Sequence, residues 1–194
     1  MRTITRAIIR SGIVLAYSQG YNPHPRFSLP LPRNVGLASD DELFCVKIQK
    51  PQEDKTPFAG LIAAQLPQGF ELLGIEVYDK SVTYQPVEVE YRIKTESPDG
   101  QTRHLKEVQK LNEQIALGRE ILIERTLNSK GDVKTVDVAG FLKSFEVVGQ
   151  EIKAFCKVLP GGTIRPDEIL RLLNIEPLQI SSSIIRKNIK WRIN

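Results

Sequence analysis

The sequence predicts an α+β protein of two tandem ferredoxin-like (βαββαβ) units, the first lacking its initial strand. Three observations predict it. Stretches with apolar residues at helical spacing alternate with stretches in which apolar and polar residues alternate one by one. Two runs of such stretches, residues 1–80 and 87–194, flank the polar segment Asp79–Pro86, which ends in proline and reads as a linker. The first run orders its elements helix, strand, strand, helix, strand. The second fits strand, helix, strand, strand, helix, strand with one further strand.

In the first run, Ile4, Ala7 and Ile8 share one face of a helix over residues 2–11, with Arg2, Arg6 and Arg10 opposite. Ile13–Tyr17 reads as a short strand and FSLPLP, residues 27–32, as another. Pro30 and Pro32 remove donors from the same side of FSLPLP, which makes it an edge strand. Glu42–Gln49 alternates as a strand. Thr56 caps a helix that opens at Pro57 and carries Phe58, Leu61, Ile62 and Leu66 on one face. Gly69 ends that helix, and Phe70–Tyr78 reads as a strand.

The second run opens with Val87–Thr95, where Val87, Val89, Tyr91 and Ile93 alternate with Glu88, Glu90, Arg92 and Lys94. SPDG is a turn. Leu105, Val108, Leu111 and Ile115 set a helix over His104–Leu117, closed by Gly118. Glu120–Leu127 and Val133–Val138 form a hairpin across NSKGD. Gly140–Gly149 reads as an irregular or helical insert, Glu151–Val158 as a strand, and Pro166 starts a helix. Ile184–Ile193 is the last strand, with Ile185, Ile189, Trp191 and Ile193 on one face and Arg186, Lys190 and Arg192 on the other.

The chemically unusual stretch is Tyr17–Pro32, YSQGYNPHPRFSLPLP. Gly20 permits a turn closed to other residues, while Pro23 and Pro25 stiffen the chain and push Asn22 and His24 toward extended geometry. AYSQGYNPHPRFSLPLP, followed after Arg33 by NVGLASDDELFCVKI, resembles the signature of the bacterial radical-SAM-linked domain of unknown function. ERTLNSKGDVKTVDV and GGTIRPDEIL resemble later segments of that family, so the likeness covers nearly the whole chain. The resemblance implies a radical SAM protein as partner and an RNA or translation setting in a bacterial cytoplasm. It implies no particular reaction. Family members usually begin with a further strand, whereas this chain starts within its first helix. The first sheet is therefore expected to show an unpaired edge. The three-cysteine cluster motif is absent, so the chain is not itself a radical SAM enzyme.

Composition narrows the function classes. A hydrophobic content of 41% suits a folded globular chain. No apolar run is long enough to cross a bilayer, and no signal-peptide pattern opens the chain, so no membrane partner is expected and a cytoplasmic location is. Cys45 and Cys156 read as separate buried thiols; with His24 and His104 they have no metal-ligand spacing, so neither metal nor cofactor is expected. The net charge of +4 is unevenly placed. Residues 1–39 hold five arginines and no acid, and residues 177–194 hold four cations and no acid. Arg2, Arg6 and Arg10, Arg26, and the Arg186, Lys190 and Arg192 face are therefore expected to form one anion-binding surface, with Tyr21 and His24 as further nucleic-acid contacts.

Each feature has a plainer reading. The arginine stripe is equally a solvated face. His24 could be a general acid or base, or contact a phosphate, but a turn-stabilising histidine fits as well. Tyr17, Tyr21 and Phe27 beside Arg26 could stack bases, or pack the loop onto its sheet, with Tyr21 the best placed for exposure. Asp137 could be catalytic or pair with Arg125 or Lys130. Gly161, Gly162, Thr163 and Arg165 could hold an anion at a helix start, or form a capping turn. The leading expectation is an accessory RNA-binding or partner-binding domain working with a radical SAM protein. Its rivals are a small metal-independent ribonuclease using His24 and an interaction module for an acidic protein.

Overall fold

A computed structural model describes residues 2–34, 36–49, 57–95, 98–126, 131–175 and 184–194. The expected cap Thr56, the start of the SPDG turn, most of the NSKGD turn with Lys130, and the side chain of Arg2 lie outside the described residues. The chain is a mixed α+β protein with several sheets. It divides into two compact units, Met1–Pro30 with Leu43–Thr83, and Leu31–Glu42 with Tyr84–Asn194.

The first unit holds α1 (Arg2–Arg10), β1 (Phe27–Ser28), β3 (Cys45–Val46) and α2 (Pro57–Ala63); β2 (Ala38–Ser39) belongs to the second unit. Ala7 and Ile8 of α1 are buried, while Arg6 and Arg10 are exposed. The Ser11 hydroxyl donates to the Ile8 carbonyl at 2.6 Å, and Gly12, at φ +79°, turns the chain out of the helix. β1 and β3 pair antiparallel, with Phe27 opposite Val46 and Ser28 opposite Cys45. Two isolated bridges, Leu15 with Ile48 and Tyr17 with Pro25, extend this ladder.

Three expectations for this unit are corrected. FSLPLP is a strand only over Phe27–Ser28, because Pro30 and Pro32 offer no donors to continue a ladder. Phe70–Tyr78 is not a strand, and Phe70, Leu73, Ile75 and Tyr78 are exposed. An alternating run becomes a strand only where it joins a ladder, and among the described residues this run enters none. The first ferredoxin-like unit, expected without its initial strand, is accordingly not seen; among the described residues this unit has the two-stranded β1–β3 sheet.

The second unit contains β4 (Tyr84–Lys94), α3 (Pro98–Ala116), β5 (Leu122–Thr126), β6 (Val133–Asp137), a 3-10 turn (Ala139–Phe141), β7 (Leu142–Val148), β8 (Glu151–Lys157), α4 (Pro166–Leu172) and β9 (Ile184–Ile193). Its five-stranded sheet runs β2-β9-β4-β8-β7, and β5–β6 is a separate hairpin. β9, β4, β8 and β7 are antiparallel to their neighbours, and β2 lies parallel to β9. Gly140–Gly149, expected as an irregular or helical insert, supplies β7: Leu142 reaches the core before a register shift at Lys143, and Phe145 and Val147 after it, which breaks the one-by-one alternation.

One face of this sheet is dry. Val89, Tyr91 and Ile93 of β4 and Ile152, Ala154 and Cys156 of β8 pack in one cluster with Val108 and Leu111 of α3 and Ile169, Leu170 and Leu173 at α4. At the outer edge of β7, Phe145 meets a side chain of α3. Asn112 of α3 donates from Nδ2 to the Phe145 carbonyl and accepts the Phe145 N–H at Oδ1, both at 2.8 Å. Two carboxylates with arginine partners are built into the unit. Glu168, wholly buried, accepts from Arg125 Nε at 2.6 Å and Nη2 at 2.9 Å. Glu42 accepts from the buried Arg186 at 3.0 Å.

Candidate nucleic-acid interface

The Tyr17–Arg26 loop is held by its backbone. Ser18 N–H donates to the His24 carbonyl at 2.8 Å, and His24 N–H donates to the Ser18 hydroxyl at 3.0 Å, which closes residues 18–24 at their neck. Below the neck, Arg26 N–H donates to the Ala16 carbonyl, Ala16 N–H to the Lys47 carbonyl, and Lys47 N–H to the Arg26 carbonyl. Gly20 takes φ +135°, a region L side chains avoid, so the turn needs glycine there. Tyr21, next along, is fully exposed at 109%. His24 and Arg26 are also exposed.

The two faces of the β1–β3 ladder differ. Phe27 stacks on Phe44 with ring centroids 5.4 Å apart, anchoring one face. Arg26 and Lys47 stand side by side on the other, in the register set by Phe27 opposite Val46. Ser28 and Cys45 share that face; burial raises the Cys45 thiol, and the Ser28 hydroxyl offsets part of the rise. Of the aromatic residues expected to pack the loop, Phe27 does so and Tyr17 is 44% exposed. The His24 ring makes no hydrogen bond among the described residues; its backbone alone ties the turn. Loop and ladder together therefore present the free Tyr21 ring, one imidazole and the two cations Arg26 and Lys47 on a stiff frame.

The C-terminal strand behaves differently from its expectation. Arg186 is 2% exposed. In the β4–β9 register Glu90 faces Asn188 while Tyr91 faces Arg186, so Lys187 is the extra residue of a β-bulge. The bulge shifts the alternation by one, and Ile184 and Arg186 point to the core together with Ile189. Arg186 Nη1 donates to the Leu31 carbonyl and to Glu42, and Nη2 donates to the Pro32 carbonyl. The guanidinium thus satisfies carbonyls beside the two prolines that could not enter a ladder. Burial pushes the neighbouring Tyr91 hydroxyl up, and Arg186 pulls it partly back.

The acid triplet Asp40-Asp41-Glu42 is what the sequence reading missed. Asp40 pairs with Lys187, Asp41 accepts the Ile189 N–H at 2.8 Å, and Glu42 pairs with Arg186. Two cations of the acid-free C-terminal segment are thereby neutralised. Lys190 and Arg192 remain exposed and without an ion pair among the described residues. The single surface including Arg186 is corrected on that ground.

The Gly161–Arg165 segment is a capping turn. Leu159 and Gly162 form an isolated bridge, and the Thr163 hydroxyl donates to the Lys157 carbonyl at 3.3 Å. Arg165 has no side-chain acceptor, so the capping contact comes from Glu168, whose carboxylate accepts the Arg165 N–H at 2.8 Å. The anion at this helix start is the protein's own. Asp137 likewise caps, accepting N–H groups from Ile121 at 2.9 Å and Ala139 at 3.0 Å, while Arg125 pairs with Glu168. Among the described residues, no three His, Cys, Asp or Glu side chains gather as metal ligands. No helix among them is long and apolar enough to cross a membrane.

Architecture and loop together define a mixed α+β protein that displays an aromatic and cationic turn on its first unit. The chain belongs to the family described as uncharacterized protein conserved in bacteria (DUF2344), which matches residues 1–166. No curated protein matches the chain, and no solved structure does.

Proposed function

We propose that this protein is an accessory, single-stranded RNA-binding protein, with the Tyr17–Arg26 loop as its contact to bases and phosphates. The observation that carries this is the loop tip: Tyr21 stands free of packing on a backbone tied at its neck, with exposed Arg26 and Lys47 beside each other below. A rigid exposed ring loses little freedom when a base stacks on it, and stacking tolerates any sequence. The radical SAM partner and the translation setting enter through the likeness of the Tyr17–Pro32 signature. The succession β4, α3, β7, β8, α4, β9 with the order β9-β4-β8-β7 supports reading the second unit as ferredoxin-like, with β5–β6 inserted.

The test is binding of a fluorescent mixed-sequence RNA 20-mer to the full chain. Tyr21→Ala should weaken it by about 1–3 kcal/mol, the range for loss of one stacked base. Wild-type protein that binds no RNA in low salt ends the proposal.

A further inference from the structure

One face of the second unit's sheet packs on α3 and α4, and on the other the described residues are half-buried or exposed. On that second face, register gathers cations at one end. Glu88 of β4 lies directly opposite Lys157 of β8 and directly opposite Lys190 of β9. Residues directly opposite one another share a face, so both lysines flank this carboxylate. Lys143 of β7 reaches the same Glu88, with its Nζ 2.8 Å from Oε1. Arg192, two residues beyond Lys190, continues the face past Gln85. Three lysines thus flank one acid, and Arg192 continues the row beyond them. Hydrogen bonding from Lys143 and the fields of Lys190 and Lys157 hold the Glu88 carboxyl below its usual range, so it stays ionised yet offsets only one of four positive charges.

The next row of the same face carries Phe155 on β8, opposite Glu90 on β4 and Ser144 on β7. Phe155 is half-buried. Both oxygens of Glu90 are occupied, by Arg92 and Asn188 at 2.9 Å each, which leaves that acid little to repel a passing anion. Farther along, Arg92 with Glu151 and Lys153 opposite Glu146 balance in charge. The excess is therefore local to one end.

We infer that this face, through Lys143, Lys157, Lys190, Arg192 and Phe155, is a second contact for single-stranded RNA, lying on the second unit. The inference rests on the RNA-binding reading above. Strands are spaced by about 4.8 Å, so the cationic row from β9 across β4 and β8 to β7 spans roughly 14 Å. A row of that length suits an extended polyanion rather than a single small anion. Phe155 offers a ring to a base of the strand whose phosphates follow the lysines. Sequence reading found Lys190 and Arg192 but missed Lys143, Lys157 and Phe155, because only cross-strand register brings them together.

The test uses the full-length protein and the RNA 20-mer in a salt titration. Each phosphate contact on a single strand contributes about 0.7 to the log-log salt slope. Lys157→Gln with Lys190→Gln should lower the slope by about 1.4 and weaken binding roughly 25-fold at 0.1 M salt. Phe155→Leu should weaken binding at least about fivefold with little change in slope. Lys106→Gln on the exposed surface of α3 is the control. Wild-type-like slope and affinity in the double variant, with Tyr21→Ala still impaired, would overturn the second contact and leave the loop proposal standing. Loss of RNA binding by every form, with polyglutamate bound through these lysines, would overturn both in favour of an acidic protein partner.

Discussion

Ile93, Ile152, Ala154, Ile164, Ile169 and Leu173 of the second unit are wholly shielded from solvent. Among the described residues of the first unit, Ala7, Ile8, Leu15 and Phe58 are the buried apolar residues, while Ile9, Val14, Tyr17, Tyr21, Leu61, Phe70, Leu73, Ile75 and Tyr78 are exposed. Burying a large apolar side chain contributes about 1.5–3 kcal/mol, so the second unit carries most of the chain's hydrophobic stabilisation. The first relies on backbone hydrogen bonds and stiff prolines. The difference separates two tasks. A closed core fixes cross-strand register over many residues, which is what the cationic row needs. A loop with little core beneath it can leave its aromatic ring in water.

The sharpest way to break this contrast is to open the second unit's core. Arg186→Met strands Glu42 and the Leu31 and Pro32 carbonyls, and should cost about 3–5 kcal/mol in urea denaturation. The Arg186→Met, Glu42→Met double variant should recover part of that loss, because no charge is left without its partner. Next in size, Ile152→Ala should cost about 2–5 kcal/mol, whereas Leu73→Ala in the first unit should stay within about 0.5 kcal/mol. Equal losses at Ile152 and Leu73 would erase the contrast.

Thiol labelling followed by mass spectrometry sharpens it chemically. Burial pushes the Cys156 thiol up to about 12, so almost no thiolate forms at neutral pH. Cys45, only half-buried, is raised as well, with Ser28 working against the rise. Cys45 should react in the native protein and Cys156 only after global unfolding. Reaction of Cys156 ahead of Cys45 would mean that the second unit opens first.

The smallest expected effect is on acid stability. Burial alone would raise the Glu90 carboxyl, but hydrogen bonds from Asn188 and Arg92 outweigh it and hold it below its usual range. A depressed carboxyl contributes stability above its unfolded pKa of about 4.3, and that contribution is lost as pH falls through the lower folded value. Glu90→Gln should therefore flatten the decline in melting temperature below about pH 4.3 and leave the slope near neutrality unchanged. An unaltered acid branch would show that Glu90 adds nothing there.

What the sequence revealed follows the same division. α1, β4, β8, α4 and the span of β9 were legible because their periods are regular and their apolar residues find a core. Phe70–Tyr78 carries a strand-like alternation yet forms no ladder among the described residues, and alternation alone does not supply one. β7 and β9 each carry a register shift, at Lys143 and Lys187, which inverts the face assignment beyond it. For that reason Arg186 read as surface and proved to be core. The partnership of Asp40, Asp41 and Glu42 with β9 spans more than 140 positions, and no local signal announces it. The loop was legible in its stiffness and in the exposure of Tyr21, since glycine and proline act through the backbone. The cationic row was not, because it exists only between strands.

Asn112 has a consequence for the protein in a crowded solution. A strand at the rim of a sheet is a template on which another chain can crystallise into a shared ribbon. By giving the Phe145 N–H and carbonyl an amide of its own, Asn112 imitates the incoming strand and occupies its place. The β-prone residues Phe145, Val147 and Val148 would otherwise suit such recruitment.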